Sequence, residues 1–167
     1  TGKLRYWWCF FAAGTMLLTI APPVLLTALI FNRPLWVYPW AFWGAGFWLR
    51  LCGAKLNVTG LENLEPGRSY VLVSNHRSYL DTATIFICTG QRIGLVAKKE
   101  LLKIPIFGYG MGFVNILAID RSNPQRARET IDRARGILDD GFSFGLFAEG
   151  TRAMPGATTH WPLQSKV

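Results

Sequence analysis

Near its middle the chain runs Tyr70-Val71-Leu72-Val73-Ser74-Asn75-His76-Arg77-Ser78-Tyr79-Leu80-Asp81. The apolar residues 70 to 73 are typical of a buried strand, and Ser78 is typical of a helix start. His76 then lies in the turn between them, and such strand-to-helix turns commonly expose catalytic groups in α/β enzymes. Because Asp81 follows five positions later, we expect an imidazole that a carboxylate can orient as a general base.

The same residues also allow a purely structural explanation. Ser78 and Asp81 have the spacing of a capping box, whose side chains satisfy free backbone N–H groups in the first turn of a helix. Residues five apart on a continuous α-helix point about 140° away from each other, so a contact with Asp81 requires His76 to lie outside the helix. From this segment alone, the catalytic and the capping interpretations both stay open.

The composition favours a protein that works at a membrane surface. The chain has 167 residues, of which 50% are hydrophobic, and its formal net charge is +8. This combination suits an anionic lipid surface better than nucleic acid, because the arginines after Pro124 alternate with Glu129 and Asp132. The charged residues before Lys55 are all basic, and they are Lys3, Arg5, Arg33 and Arg50. We therefore expect lipid partners and no nucleic acid.

Residues 7 to 31 carry no charged side chain. A helix of this length would extend about 37 Å, which exceeds the roughly 30 Å of a bilayer's hydrocarbon core. Pro22 and Pro23 interrupt the segment, so a kinked span and a re-entrant hairpin are both possible, and the basic residues on both sides favour the hairpin. A signal peptide is the competing interpretation, although no clear cleavage site precedes the prolines.

An aromatic segment follows between Leu35 and Leu49. Six of the seven tryptophans precede residue 50. Such a density of rings is typical of the headgroup level of a membrane, and a buried aromatic core helix is the alternative. We predict that residues 1 to 50 form a membrane anchor with an interfacial aromatic segment.

After Gly53, short apolar runs alternate with helical patterns, which is typical of an α/β domain with a mostly parallel sheet flanked by helices. The sequence predicts strands at residues 55 to 59, 70 to 74, 93 to 97, 115 to 119 and 143 to 147. It predicts helices at residues 78 to 88, 99 to 103 and 124 to 139. In the last helix we expect Asn123 as the cap, Pro124 in the first turn, Gly141 at the exit, and one apolar face formed by Ala127, Ile131, Ala134 and Leu138.

The three cysteines, Cys9, Cys52 and Cys88, are far apart in sequence and show no C-x-x-C spacing. We therefore expect neither a metal site nor a disulfide framework, and a reducing compartment.

Two further polar clusters follow predicted strands. Arg121 comes after the strand at residues 115 to 119, and Glu149-Gly150-Thr151-Arg152 comes after the strand at residues 143 to 147. Parallel strands end at the same edge of a sheet, so both clusters should meet the turn that carries His76. There the guanidinium groups can hold a phosphate, Gly150 lets backbone N–H groups approach it, and Thr151 can donate a further hydrogen bond. Taken separately, a surface pair of Arg121 with Asp120, or a simple turn, explains each cluster.

Together these segments resemble the glycerolipid acyltransferase family, which includes the 1-acylglycerol-3-phosphate O-acyltransferases. The family's N-H-x-S-x-x-D block is matched by Asn75, His76, Ser78 and Asp81, and its strand ending in arginine by residues 115 to 121. Its F-P-E-G-T-R block is matched at Phe147 and at residues 149 to 152, with Ala148 in place of proline. Residues 97 to 108 also resemble the family segment between the first two blocks. The resemblance covers roughly residues 50 to 152.

The resemblance implies transfer of a fatty acyl group from acyl-CoA or acyl carrier protein to 1-acylglycerol-3-phosphate, giving phosphatidic acid for phospholipid synthesis. It implies His76 as the base and Asp81 as its orienting carboxylate. The residues implied to bind the acceptor phosphate are Arg121, Glu149, Gly150, Thr151 and Arg152. It implies no metal and no cofactor besides the thioester co-substrate, and a catalytic domain on the cytoplasmic face of a membrane, the bacterial inner membrane.

The end of the chain departs from the family pattern. Residues 153 to 167 do not match the family's fourth block, so we expect an incomplete catalytic domain at residues 51 to 152, a divergent tail, and a C-terminally truncated chain. His160 is expected to be a surface residue of that tail. Two alternatives follow, namely a different acceptor, such as glycerol 3-phosphate or a lyso-aminolipid, and an inactive membrane-associated lipid-binding fragment.

Overall fold

A parallel sheet of four strands lies at the centre of the computed structural model, which describes residues 2 to 120 and 122 to 147. The strands are β1 (Val71–Ser74), β2 (Ile93–Lys98), β3 (Ile116–Ile119) and β4 (Ser143–Phe147), in the spatial order β1-β4-β2-β3. The helices are α1 (Gly2–Thr19), α2 (Ala21–Ile30), α3 (Val37–Leu51), α4 (Leu80–Cys88), α5 (Phe107–Met111) and α6 (Pro124–Asp139). Short 3-10 turns cover Pro34–Trp36, Leu61–Asn63, Lys99–Lys103 and Gly112–Val114. The predicted α/β class, with a parallel sheet and flanking helices, is confirmed.

The predicted strand at residues 55 to 59 is wrong. The segment is irregular and exposed, and it pairs with no strand of the described chain. The alternation of Leu56 and Val58 suggested a half-buried strand, yet these side chains are 42% and 40% exposed. No neighbouring strand or helix of the described chain covers these side chains, so the alternation of apolar and polar residues does not produce a strand here.

Strand β1 forms as predicted, but it is not buried. Val71 and Val73 share one face and are 53% and 52% exposed, and among the described strands only β4 pairs with β1. The core instead lies around the two central strands, where Ile93, Leu95 and Phe144 are almost fully buried. Their register brings the carboxyl ends of all four strands to one edge, since Ser74 lies opposite Phe147 and Lys98 opposite Ile119.

The N-terminal segment continues as helix through its two prolines. Ile20 has helical backbone angles, its N–H donates to Met16 at 2.9 Å, and its carbonyl accepts from Val24 at 3.4 Å. The favoured hairpin at Pro22 and Pro23 is therefore not formed, because prolines are tolerated in the first turn of α2, where their missing N–H groups cost little. Among the described residues, Gly2–Ile30 is the one helix long and apolar enough to cross a membrane.

The chain reverses after α2, and α3 returns antiparallel to α1. Arg5 Nε donates to the carbonyl of Cys52 at 2.8 Å, and Trp48 Nε1 donates to the carbonyl of Cys9 at 2.8 Å. One face of α3 is buried at Tyr38, which stacks on Phe86 of α4 with ring centroids 6.1 Å apart. The other face exposes about half of the rings of Trp40 and Trp43. The aromatic segment thus combines the two alternatives, a core contact and an exposed aromatic face.

Helix α6 has the predicted bounds and cap. The Asn123 side chain accepts from Arg126 N at 3.2 Å, and Gly141 leaves the helix with φ at +85°. Its predicted apolar face is wrong at Ile131, which is 62% exposed. Thr130 is buried instead. Its burial leaves no polar group unpaired, because the Thr130 hydroxyl donates to the Arg126 carbonyl at 2.9 Å.

Candidate active site

His76 lies in the non-helical turn between β1 and α4, at the carboxyl edge of the sheet. Its Nδ1 is 3.1 Å from Oδ2 of Asp81. Helix α4 begins at Leu80, two residues later than Ser78, where the sequence predicts its start. The imidazole is therefore outside the helix and can turn back toward a residue in its first turn. His76 and Asp81 therefore make a contact that they could not make if both were part of one continuous helix.

The same carboxylate oxygen also caps the turn. Asp81 Oδ2 accepts from the backbone N–H groups of Arg77 at 2.6 Å and Ser78 at 2.7 Å. Ser78 Oγ in turn accepts from Leu80 N at 3.1 Å. The capping contacts are thus formed, and the contact that a catalytic role would need is formed beside them, because a single oxygen accepts from two backbone amides and lies against the imidazole. Two charge-assisted bonds to the backbone fix its direction.

The orientation of the imidazole has a defined chemical consequence. A carboxylate only accepts, so His76 places the Nδ1 proton in this bond and leaves Nε2 as the basic nitrogen. Nε2 makes no hydrogen bond to the described residues. The side chains of His76 and Asp81 are 19% and 29% exposed, so the pair is sheltered but accessible. A hydroxyl that approaches from the open side can meet a preoriented base.

Phe147, at the end of β4, forms the floor under the imidazole. Its ring stacks on His76 with centroids 4.2 Å apart and an interplanar angle of 24°. The stack follows from the register, since Phe147 lies opposite Ser74 and the chain turns to His76 two residues later. The sequence motif contains Phe147 but predicts no contact for its ring, because the contact depends on strand order.

The N-terminal helix reaches the same turn. The ring of Phe10 in α1 meets that of Tyr79 edge to face, with centroids 5.1 Å apart. Tyr79 directly precedes α4 and lies three residues after His76. The long apolar helix and the turn that carries His76 are therefore in direct contact.

A second charged group lies farther along the carboxyl edge, after β2 and β3. Lys99 Nζ is 2.9 Å from Oδ2 of Asp120. Hydrogen bonds from Ser122, followed by the one from Lys99, lower the pKa of the Asp120 carboxyl to about 2. Lys99 was predicted only as part of a helix, and the pairing of neighbouring strands brings it to this edge.

The predicted phosphate-binding residues, which are Arg121, Glu149, Gly150, Thr151 and Arg152, lie outside the described residues. The strands that precede them, β3 and β4, end at the same edge as β1. Within the described residues, no group of three or more histidine, cysteine, aspartate or glutamate side chains could hold a metal ion.

Comparison with known proteins identifies the family. The family model described as Acyltransferase matches residues 55 to 165. The chain belongs to the acyltransferase family. The resemblance of the sequence blocks to this family is confirmed.

Several curated relatives of this acyltransferase-family chain carry one activity in their names. It is 34% identical over 103 residues to the chloroplastic 1-acyl-sn-glycerol-3-phosphate acyltransferase of Arabidopsis thaliana, which covers 61% of this chain and 29% of the relative. It is 34% identical over 105 residues to the 1-acyl-sn-glycerol-3-phosphate acyltransferase of Pseudomonas aeruginosa, which covers 61% of this chain and 39% of the relative. The chain thus spans well under half of the length of these relatives.

A solved structure shares the fold. The crystal structure of the 1-acyl-sn-glycerophosphate acyltransferase from Thermotoga maritima superposes with a TM-score of 0.77 at 23% identity, over 94% of this chain and 64% of that one. At this identity the likeness concerns the arrangement of sheet and helices. It extends over the N-terminal helices as well as the α/β part of the chain.

Proposed function

We propose that this protein is an O-acyltransferase that moves a fatty acyl group from a thioester to the free hydroxyl of 1-acylglycerol-3-phosphate, giving phosphatidic acid. The observation that carries the proposal is the 3.1 Å contact between His76 Nδ1 and Asp81, which points a basic Nε2 into an accessible edge of the sheet. Family membership supports acyl transfer, and the names of the relatives support this acceptor.

In the proposed reaction His76 acts as a general base. Its Nε2 removes the proton of the acceptor hydroxyl while the oxygen attacks the thioester carbonyl, and the imidazolium then returns this proton to the departing thiolate. The new ester bond forms as the carbon–sulfur bond breaks, without an acyl-enzyme intermediate. Asp81 holds Nδ1 protonated and offsets the positive charge that develops on the ring.

The remaining substrate contacts are part of the proposal. Arg121 and Arg152, with residues 149 to 151, bind the acceptor phosphate, since guanidinium groups match phosphate bidentately. The thioester is acyl-CoA or acyl carrier protein. The apolar helix Gly2–Ile30 associates with a membrane, and the catalytic edge works on its cytoplasmic face, at the inner membrane in a bacterial cell.

The test uses the whole chain in detergent micelles with lysophosphatidic acid and labelled acyl-CoA. We expect labelled phosphatidic acid from the unchanged chain and a decrease of about 10²- to 10⁴-fold for His76→Ala, the usual contribution of a general base. His160→Ala, which removes the only other histidine, is the matched control and should keep full activity. Equal product from the unchanged chain and His76→Ala would remove His76 as the base.

The acceptor is tested by a panel of hydroxyl-bearing substrates. Glycerol 3-phosphate and a lyso-aminolipid are offered at the same concentration as lysophosphatidic acid, with one acyl-CoA. The proposal expects the highest kcat/KM for lysophosphatidic acid. A preference for another acceptor would keep the reaction and overturn the assigned substrate. Vesicle binding without turnover of any acceptor would favour a lipid-binding fragment.

A further inference from the structure

A pocket of about 660 Å³ lies at the amino edge of the sheet, opposite the candidate active site. The turn between α2 and α3 forms one wall, and the segment from Gly90 to Arg92, just before β2, forms another. Six residues of β2 separate this edge from the carboxyl edge, which corresponds to about 20 Å at the usual rise of a strand. The pocket is therefore separate from the acyl-transfer site.

Two arginines line this pocket, and neither has an acidic partner within residues 2 to 120 and 122 to 147. Arg33 and Arg92 are both exposed, and no described carboxylate lies within ion-pair distance of either guanidinium. Asp139 and Asp140 end α6 at the same edge, yet neither forms an ion pair with them. Two unpaired guanidinium groups at one pocket are suited to an anion, and in particular to the oxygens of a phosphate.

The backbone holds both arginines in place. Asn32 takes the left-handed conformation with φ at +51°, and Arg33 N donates to the Ala28 carbonyl at 2.8 Å, which closes the end of α2. On the opposite wall, the Arg92 carbonyl accepts from Ser143 N at 2.9 Å. The Arg92 guanidinium also lies 6.0 Å from the centre of the Phe142 ring. The backbone positions from which both arginine side chains extend are thus fixed before any ligand arrives.

Most of the remaining pocket wall, apart from Asn32 and Tyr38, is apolar, and it continues onto the end of the long helix. Leu35 and Trp36 line the pocket, and Trp36 contacts the ring of Phe31 with centroids 5.6 Å apart. Phe31, Leu35 and Trp36 are 60%, 44% and 51% exposed. Phe31 directly follows α2, whose last residue, Ile30, is also exposed. A ligand with an anionic head and an apolar tail matches both parts of this surface.

We propose that this pocket binds the phosphodiester headgroup of an anionic phospholipid, with its acyl chains along Phe31, Leu35 and Trp36. Arg33 and Arg92 bind the phosphate oxygens. The exposed rings occupy the level at which aromatic side chains meet headgroups. This lipid is neither acceptor nor product at His76, because the pocket opens at the other end of the sheet. The site orients the protein on membranes that contain anionic lipid.

The test follows Trp36 directly. The whole chain is labelled with 5-fluorotryptophan, and Trp36→Phe assigns the fluorine resonance of Trp36. A short-chain phosphatidylglycerol is added below its critical micelle concentration, so that single molecules bind. We expect a saturable shift of the Trp36 resonance, and no comparable shift with phosphatidylcholine of the same chain length or with inorganic phosphate alone.

The variants separate a built site from general charge. Arg33→Gln combined with Arg92→Gln should weaken the Kd about tenfold or more, since it removes two charge-assisted interactions. Arg133→Gln combined with Arg135→Gln removes the same charge from the exposed face of α6 and should leave the Kd unchanged. If the double variant does not fold, the titration is repeated with each single variant.

Three results would each overturn the site: an equal response to phosphatidylcholine, an equal response to inorganic phosphate, or an unchanged Kd after loss of Arg33 and Arg92. The result is independent of the proposed reaction, because His76→Ala should titrate like the unchanged chain. Loss of acyl transfer with an intact Trp36 titration therefore contradicts only the enzyme assignment.

Discussion

Replacement of Asp81 by asparagine separates the two tasks of one carboxylate. Asparagine has the same shape, and its amide oxygen can still accept from the backbone N–H groups of Arg77 and Ser78. What disappears is the negative charge 3.1 Å from His76 Nδ1. We therefore expect the turn to survive and the stabilisation of the imidazolium to be lost.

The size of the effect follows from the distance and the exposure. Two unit charges about 4 Å apart interact by about 4 kcal/mol at an effective dielectric constant of about 20. Both side chains keep some contact with solvent, so we expect about 2 to 4 kcal/mol, which corresponds to a decrease in kcat of about 30- to 1000-fold. Asp81→Ala should lose this factor too, and in addition destabilise the fold by about 0.5 to 2 kcal/mol through the lost cap.

The assay measures kcat and KM with labelled acyl-CoA beside the thermal unfolding midpoint of each variant. The expected pattern is low activity with a near-normal midpoint for Asp81→Asn, and low activity with a lowered midpoint for Asp81→Ala. If Asp81→Asn keeps activity within about threefold of the unchanged chain while His76→Ala is inactive, the carboxylate does not assist the base.

Three further predictions concern the floor of the site, a buried glycine and an acidic group. Phe147→Leu should lower kcat about two- to twelvefold, since an aromatic pair contributes about 0.5 to 1.5 kcal/mol, and an unchanged kcat would show that the stack with His76 plays no part. Gly108→Ala should destabilise the fold by about 1 to 3 kcal/mol in chemical unfolding, because a Cβ at this position would overlap the Leu102 carbonyl. Gly136→Ala, at a position in α6 where a Cβ meets no other atom, should instead stabilise the fold by about 0.5 to 1 kcal/mol. The pKa of Asp120 is lower in the folded chain than its ordinary value, so the ionised carboxylate stabilises the fold above about pH 4, and this stabilisation is lost as the pH falls toward 2. Asp120→Asn should therefore remove this part of the pH dependence of the unfolding free energy. An identical pH dependence in the variant and the unchanged chain would contradict the pairing of Asp120 with Ser122 and Lys99.

Local patterns were sufficient for the elements that carry their own signals. Strand β4 and helix α6 have the predicted bounds, because turn residues and a cap mark their ends. Helix α5 was missed, since its sequence contains two glycines that lower helix propensity. The exposed Ile131 was misplaced for a related reason, because a face of a helix becomes buried only where a sheet covers it.

The contacts of the candidate site could likewise be predicted only where they are local in sequence. The His76 and Asp81 pair could be predicted because both residues belong to one short segment, and their contact requires only that the helix begin after His76. The stack with Phe147 and the pairing of Lys99 with Asp120 depend on which strands are neighbours. Strand order is set by packing over the whole sheet, so no local pattern contains it.

The contact between Phe10 and Tyr79 links the position of the His76 turn to that of the apolar helix. The two aromatic rings meet directly, with centroids 5.1 Å apart. Under the proposed function, a lipid contact along α1 therefore also sets the position of His76 relative to that lipid, and the acceptor hydroxyl has to reach the imidazole at that position.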